Sequence, residues 1–196
     1  MAKVGSGVVT HVGLLRGINV GGHRVTMDRL CGLAVGAGAT VAESAIASGN
    51  LGIGWGRRAT DAAIEAALEA SFVADLGYAV PTMVRSLAEM SQLAAAADAG
   101  GPFADEVHVT ETPAGVARKV QIGFSDTAAS AAVGAAVAGL TNDYDRLAVV
   151  GREVWWRTNG NISDTLVPPQ VFAKAFPHDV TFRNVTTVAK LAARWR

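Results

Sequence analysis

The sequence predicts an α+β fold built from two ferredoxin-like, β-α-β-β-α-β halves related by structural duplication, the second carrying an extra C-terminal helix. Three observations predict it. Short valine- and leucine-rich runs alternate with longer segments of helical period, and apolar runs pair around glycine turns at Ser48-Gly49-Asn50 and Gly151-Arg152. The Gly100-Gly101-Pro102 break then divides the chain into halves 1–101 and 102–196, after which most of the element order repeats.

Val8 to Leu15, bounded by glycines, reads as the first strand. Thr26 is placed to cap a helix carrying Met27, Leu30, Ala34 and Ala37 at helical spacing, which fails near Gly36 and Gly38. Val41–Ala47 and Leu51–Trp55 form a hairpin across SGN, where glycine and asparagine both tolerate positive φ. Thr60 caps and Gly77 ends the clearest helix, whose stripe is Ile64, Leu68, Phe72 and Leu76. Val80–Arg85 is the fourth strand, with Pro81 favouring an edge position. Ser86 and Glu89 form a capping box for a helix reaching Gly100.

In the second half, Glu106–Thr112 and Val120–Phe124 read as strands, and Asp126–Leu140 as a helix with Val133, Val137 and Leu140 inward. Leu147–Val150 and Glu153–Arg157 form a hairpin around Gly151-Arg152. Pro168 and Pro169 suit the first turn of a short helix through Phe176. A last helix from about Asn184 aligns Val185, Val188, Leu191, Ala192 and Trp195, and takes the place of a fourth strand.

Composition narrows the function. With 17 basic and 17 acidic residues the formal charge is zero, which argues against non-specific nucleic-acid binding. Cys31 is the single cysteine, so no intrachain disulfide forms and a reducing, cytoplasmic setting is expected. No uninterrupted apolar run approaches the roughly 18 residues of a membrane span, and no signal-peptide cleavage site is evident. His11, His23, His108 and His178 are scattered singly with no cysteine or carboxylate at ligand spacing, so neither metal nor cofactor is expected. SGN is no nucleophile elbow, and no catalytic residue is assigned. The first-half strands VVTHVGLL and LGIGW lack the aromatic pair on which RNA-recognition modules stack bases. Trp155 and Trp156 alternate across a strand, one expected in the core and one partly exposed, and Asp143 and Asp145 are read as parts of a solvated turn.

Three motifs stand out: LLRGINVGG at Leu14–Gly22 with Met27 and Leu30 behind it, SGN at Ser48–Asn50, and TFRNVTTVAKL at Thr181–Leu191. Their order and spread across the chain resemble the bacterial family called domain of unknown function 1697. The resemblance implies two ferredoxin-like halves and assigns no reaction. Two departures are visible. Where the family has a glycine followed by Ser-Lys-Leu, this chain has GNISDTL, with Asp164 and Thr165 at the serine and lysine positions; where the family favours an aromatic residue after SGN, it has Ile53.

The candidate site follows from topology. In a 4-1-3-2 sheet, strand 1 lies antiparallel beside strand 3, so the end of the first meets the start of the third and Arg16 comes near Asn50. Arg16, Asn19, Arg24, Ser48 and Asn50 would surround a shallow polar concavity, with the backbone of Gly17, Gly21 and Gly22 and the following helix N-terminus offering N–H groups to an anion. The spacing matches neither G-x-G-x-x-G nor a P-loop, and the competing account is structural: the glycines permit positive φ and Asn50 fills a left-handed turn position. Arg183, Thr187, Lys190 and Arg194 align on one helical face, read as solvated at Lys190 and Arg194. Arg183 and Asn184 stand at the expected helix start, where a cation costs roughly 0.3–1 kcal/mol unless an anion or carboxylate compensates. The expected partner is therefore a phosphate-bearing small molecule. The alternatives are a protein-interaction module docking a partner through the Arg183 face, and weak nucleic-acid binding.

Overall fold

The computed structural model describes residues 2–19, 22, 24–46, 49–56, 58–104 and 118–195. It is a mixed α+β structure with two antiparallel sheets, in two compact units: Met1–Leu93 with Thr187–Arg196, and Ala94–Thr186. Among the described residues no helix is long and apolar enough to cross a membrane.

The first unit contains β1 (Lys3–Gly5), β2 (His11–Leu15), α1 (Met27–Gly36), β3 (Val41–Ser44), β4 (Asn50–Gly54), α2 (Asp61–Leu76), β5 (Thr82–Ser86) and the start of α3 (Leu87–Asp98). Its sheet runs β1-β3-β4-β2-β5. Leaving aside the added β1, the order is the expected one, with β2 central and β5 at the edge. Thr26 and Thr60 cap α1 and α2 by accepting from the N–H groups of Arg29 and Ala63, and Gly77 ends α2 in the left-handed region. These helices bury Leu30, Cys31, Ala34, Ile64, Leu68 and Phe72 against one face of the sheet. Burial raises the Cys31 thiol's pKa, and its Sγ lies 3.8 Å from the Ala2 carbonyl, as suits a small core side chain.

The β3–β4 connection differs from the expected tight turn. β3 stops at Ser44, Gly49 has φ 93° and Ile46 φ 45°, and Asn50 is the first residue of β4 rather than a turn residue. The Ala45 N–H donates to the Asn50 carbonyl and the Asn50 side chain donates to the Ile46 carbonyl, so the bend is closed from its far end.

In the second unit β6 (Lys119–Phe124), α4 (Ala131–Ala138), β7 (Asp145–Val150), β8 (Glu153–Thr158), α5 (Pro169–Ala175) and β9 (Thr181–Asn184) build a sheet ordered β7-β8-β6-β9. The expectation of a helix in place of a fourth strand is corrected here. Thr181–Asn184 pairs with β6 from Phe124 to Gln121, and only at Val185 does α6 (Val185–Arg194) begin. Helical spacing in VTTVAKL does not reach back into TFRN, whose β-branched and aromatic residues find a strand partner. Trp155 and Trp156 are both buried, at 3% and 7% exposure, which corrects the expectation of one exposed ring. Trp156 packs with Phe172 and Phe182, while Trp155 covers Gly101, where a Cβ would overlap the ring. The expected strand Glu106–Thr112 lies outside the described residues.

From Thr187 the last helix belongs to the first unit, where one row of residues receives it. Lys3, Glu43 and Gly52 are direct register partners across β1, β3 and β4, and therefore share a face. The Trp195 indole lies on Gly52, where a Cβ would overlap it, and its Nε1–H donates to Glu43 Oε2 at 3.0 Å. Glu43 Oε1 in turn meets Lys3 Nζ at 2.5 Å. A glycine that would otherwise weaken a strand is thus the floor of an aromatic seat.

Gly52→Ala should unseat Trp195 at a cost of about 1–3 kcal/mol, the range for overpacking, read by denaturant unfolding and by faster exchange of the Trp195 indole proton. The Glu43 carboxyl is held below its ordinary pKa chiefly by its hydrogen bonds from Lys3 and Trp195. A depressed folded pKa means that its stabilisation is complete above the unfolded carboxylate value, about 4.3, and fades as pH falls through the lower folded value. Indole-proton protection at Trp195 should fade over that acid window in the native chain, and Glu43→Gln should flatten the dependence.

Candidate functional site

The site begins where β2 ends. Leu14 pairs with Asn50, the Leu15 N–H donates to the Gly49 carbonyl at 2.8 Å, and the Arg16 N–H donates to the Pro81 carbonyl at 2.8 Å. Arg16 thus leaves the sheet between the start of β4 and the approach to β5, with its side chain exposed. The chain then bends through Gly17 at φ 73° and Asn19 at φ 60°. Ile18 and Val25 are buried and anchor the two limbs of the connection.

Asn19 fastens those limbs together. Its Oδ1 accepts from the Val25 N–H at 2.6 Å and its Nδ2 donates to the Val25 carbonyl at 3.3 Å. One residue later Thr26 caps α1, its hydroxyl accepting from the Arg29 N–H at 3.3 Å. Asn19, Arg24, Val25 and Thr26 line a shallow depression of about 450 Å³ at the N-terminus of α1. Arg24 is exposed there. The arrangement offers an arginine and the positive end of a ten-residue helix to one solvent-open volume.

The other expected site residues divide clearly. Gly22 has φ 90° and lies exposed in the same connection. Gly21, Ser48 and His23 lie outside the described residues. Asn50 is backbone-adjacent to the end of β2 but only 3% exposed, with its amide turned to its own hairpin. Lys190 is exposed on α6. Arg183 and Asn184 belong to β9 in the second unit, so the expected position of Arg183 at a helix start is corrected. Arg183 faces Ile122 in the ladder and donates through Nη1 to Thr181 Oγ1 at 2.7 Å and to the Phe182 carbonyl at 2.9 Å. Burial lowers its pKa to about 10, which leaves it cationic at neutral pH.

The family model described as "Protein of unknown function (DUF1697)" matches residues 8–155. The chain belongs to the DUF1697 family. It is also similar to a conserved bacterial protein from Streptococcus pneumoniae of solved structure, with a TM-score of 0.65 and 20% identity over 95% of this chain and 97% of that one. At that identity the likeness concerns the fold. No curated protein matches the chain.

In this DUF1697 protein the GNISDTL segment has a structural task. Asp145 is completely buried rather than solvated, which corrects the reading of a surface turn. Its Oδ1 accepts from Trp156 Nε1 at 2.8 Å and from the Thr165 hydroxyl at 2.7 Å; its Oδ2 accepts from the Leu166 N–H at 2.8 Å and from Asn142 Nδ2 at 3.2 Å. Four donors on one carboxylate compensate its loss of water and tie Thr165 and Leu166 to the start of β7. The D-x-x-x-x-x-x-x-x-x-x-W spacing gave no signal of this, since the partners meet only across the β7–β8 hairpin.

At the opposite end of β2, about 17 Å from Arg16 at strand rise, His11 sits between a hydroxyl and a carboxylate. Its Nδ1 is 2.8 Å from Thr10 Oγ1 and its Nε2 is 3.9 Å from Asp61 Oδ1. Burial lowers its pKa, against the opposing pull of Asp61 and Glu89. The Thr10 hydroxyl is already an acceptor for the Trp55 N–H at 3.1 Å and belongs to the sheet's hydrogen bonding.

Asp145→Ala should destabilise the second unit by about 2–4 kcal/mol, because buried donors lose a charged acceptor, and Asp145→Asn should recover only part of it, since its NH₂ would face donors. Chemical denaturation, with Trp156 indole exchange as the local probe, measures both.

Proposed function

We propose that this protein binds an anionic, phosphate-bearing small molecule in the depression between the glycine-rich connection and the N-terminus of α1. The observation that carries the reading is the convergence there of Arg24, Asn19 and Thr26 with the helix end. A helix N-terminus favours negative charge, and an arginine adds a planar, permanently charged donor set. Arg16, exposed at the other limb of the connection, supplies a second cation. Asn19 acts in this reading as the clasp that holds the loop in shape, not as the main donor. The balanced net charge fits a small ligand better than a nucleic-acid backbone.

The same reading takes the chain as a cytoplasmic protein of two duplicated ferredoxin-like halves, 1–101 and 102–196. Support comes from the strand orders β3-β4-β2-β5 and β7-β8-β6-β9, each traced by a β-α-β-β-α-β segment of chain. In this arrangement the loop after the first strand of a half opens at a sheet end, where β2 hands over to α1.

Calorimetric titration with inorganic phosphate, nucleotides and sugar phosphates tests the proposal. At least one of these should bind, and Arg24→Ala should weaken it by about tenfold or more, as expected for loss of a charge-assisted hydrogen bond. Undiminished affinity in Arg24→Ala removes the site, and absence of binding by all three classes removes the function.

A further inference from the structure

The outer edge of the first sheet is closed by side chains. In β5 the residues 83 and 85 face β2 in the ladder, as the neighbouring bonds Arg16 N–H to Pro81 carbonyl and Leu87 N–H to Thr10 carbonyl fix, so residues 82, 84 and 86 turn their backbone groups outward. Each of those three N–H groups meets a carboxylate at 2.8 Å: Thr82 at Glu69 Oε1, Val84 at Glu65 Oε1, and Ser86 at Glu89 Oε2. Glu65 and Glu69 stand one helical turn apart on α2, and Glu89 reaches back from the first turn of α3 as the acidic member of its capping box.

One outward carbonyl, that of Val84, is also engaged, as is that of Val80 just before the strand. The Val84 carbonyl accepts from Arg85 Nη1 at 2.8 Å, and the Thr82 hydroxyl donates to the Val80 carbonyl at 3.0 Å. Val84 therefore has both its backbone groups taken by charged side chains, and both of these, Glu65 at 6% and Arg85 at 0% exposure, are buried. Burying a carboxylate and a guanidinium is costly unless their hydrogen bonds are met. Their position against backbone, at the spacing of alternate strand residues, is what a neighbouring strand would otherwise provide.

We propose that Glu65, Glu69 and Glu89 act together as a side-chain substitute for a further strand, closing the β5 edge against pairing with a second copy of this chain. An open edge presents a row of unpaired donors and acceptors and templates strand addition. TMVRS, with its Thr, Met and Val, is a strand sequence that would pair readily if its N–H groups were released. Carboxylates suit the task because their oxygens accept, so each holds an N–H that an incoming strand would otherwise meet.

Glu69→Ala/Glu89→Ala tests this, with Glu69→Gln/Glu89→Gln as the variant that retains an acceptor oxygen at each position. Amide exchange read residue by residue should accelerate by about tenfold or more at Thr82 and Ser86 in the alanine variant, with smaller changes at Met83 and Arg85. Its weight-average mass in sedimentation should rise with concentration beyond that of the native chain, while the glutamine variant stays native in both readouts. An alanine variant that keeps native far-UV circular dichroism and tracks the native mass at every concentration overturns the proposal. So does a glutamine variant that associates equally, since lost charge rather than an opened edge would then be the cause. If the double alanine variant does not fold, Glu69→Ala alone leaves the other two acceptors in place, and unchanged exchange at Thr82 in that chain overturns the proposal as well.

Discussion

The structure rests on the requirement that a backbone N–H or carbonyl removed from water must find a partner. Regular ladders meet most of that demand, and polar side chains, from buried Glu65 and Asn50 to half-buried Asn19, Glu69 and Glu89, serve part of the remainder. Asn19 holds both backbone groups of Val25, Asn50 holds the Ile46 carbonyl, and Glu65, Glu69 and Glu89 hold the outward N–H groups of β5. In the second sheet the edge strand β7 is treated likewise: Asn142 Oδ1 accepts from Asp145 N–H, and Thr141 Oγ1 from Leu147 N–H.

That requirement also sorts the candidate site. Side chains that look like ligands in a motif are, in part, closing the backbone around them. Asn19 and Asn50 have amides committed to their own connections, whereas Arg24 stands exposed over the depression that the Asn19 clasp shapes. Neighbouring residues therefore have different tasks: the asparagine sets loop geometry, the threonine caps the helix start, and the arginine stands exposed beside them. Trp195 shows the same economy at the other end of the chain, where a strand glycine is valuable because of what rests on it.

Much of this was legible in the residues. The 3.6-residue stripe of α2, its Thr60 cap and Gly77 stop, the Ser86–Glu89 capping box and the edge position implied by Pro81 are local or near-local features, and all have their counterparts in the fold. The strand β9 was hidden because four residues leading into a helix carry too little period to separate strand from helix start. The buried state of Asp145 was hidden because a charged residue beside Asp143 and Tyr144 has the composition of a turn, and its donors come from positions 142, 156, 165 and 166.

By itself the sequence determined the mixed α+β class, the main helices and their caps and the glycine-rich connection after β2, because these depend on hydrophobic period and short-range turn chemistry. Only the tertiary structure decided which polar side chains face backbone and which face solvent, since that choice is made by partners far apart in the chain. Glu69 reaches Thr82, Asp145 reaches Leu166 and Glu43 reaches Trp195 through strand register and helix packing, and no local spacing encodes those meetings.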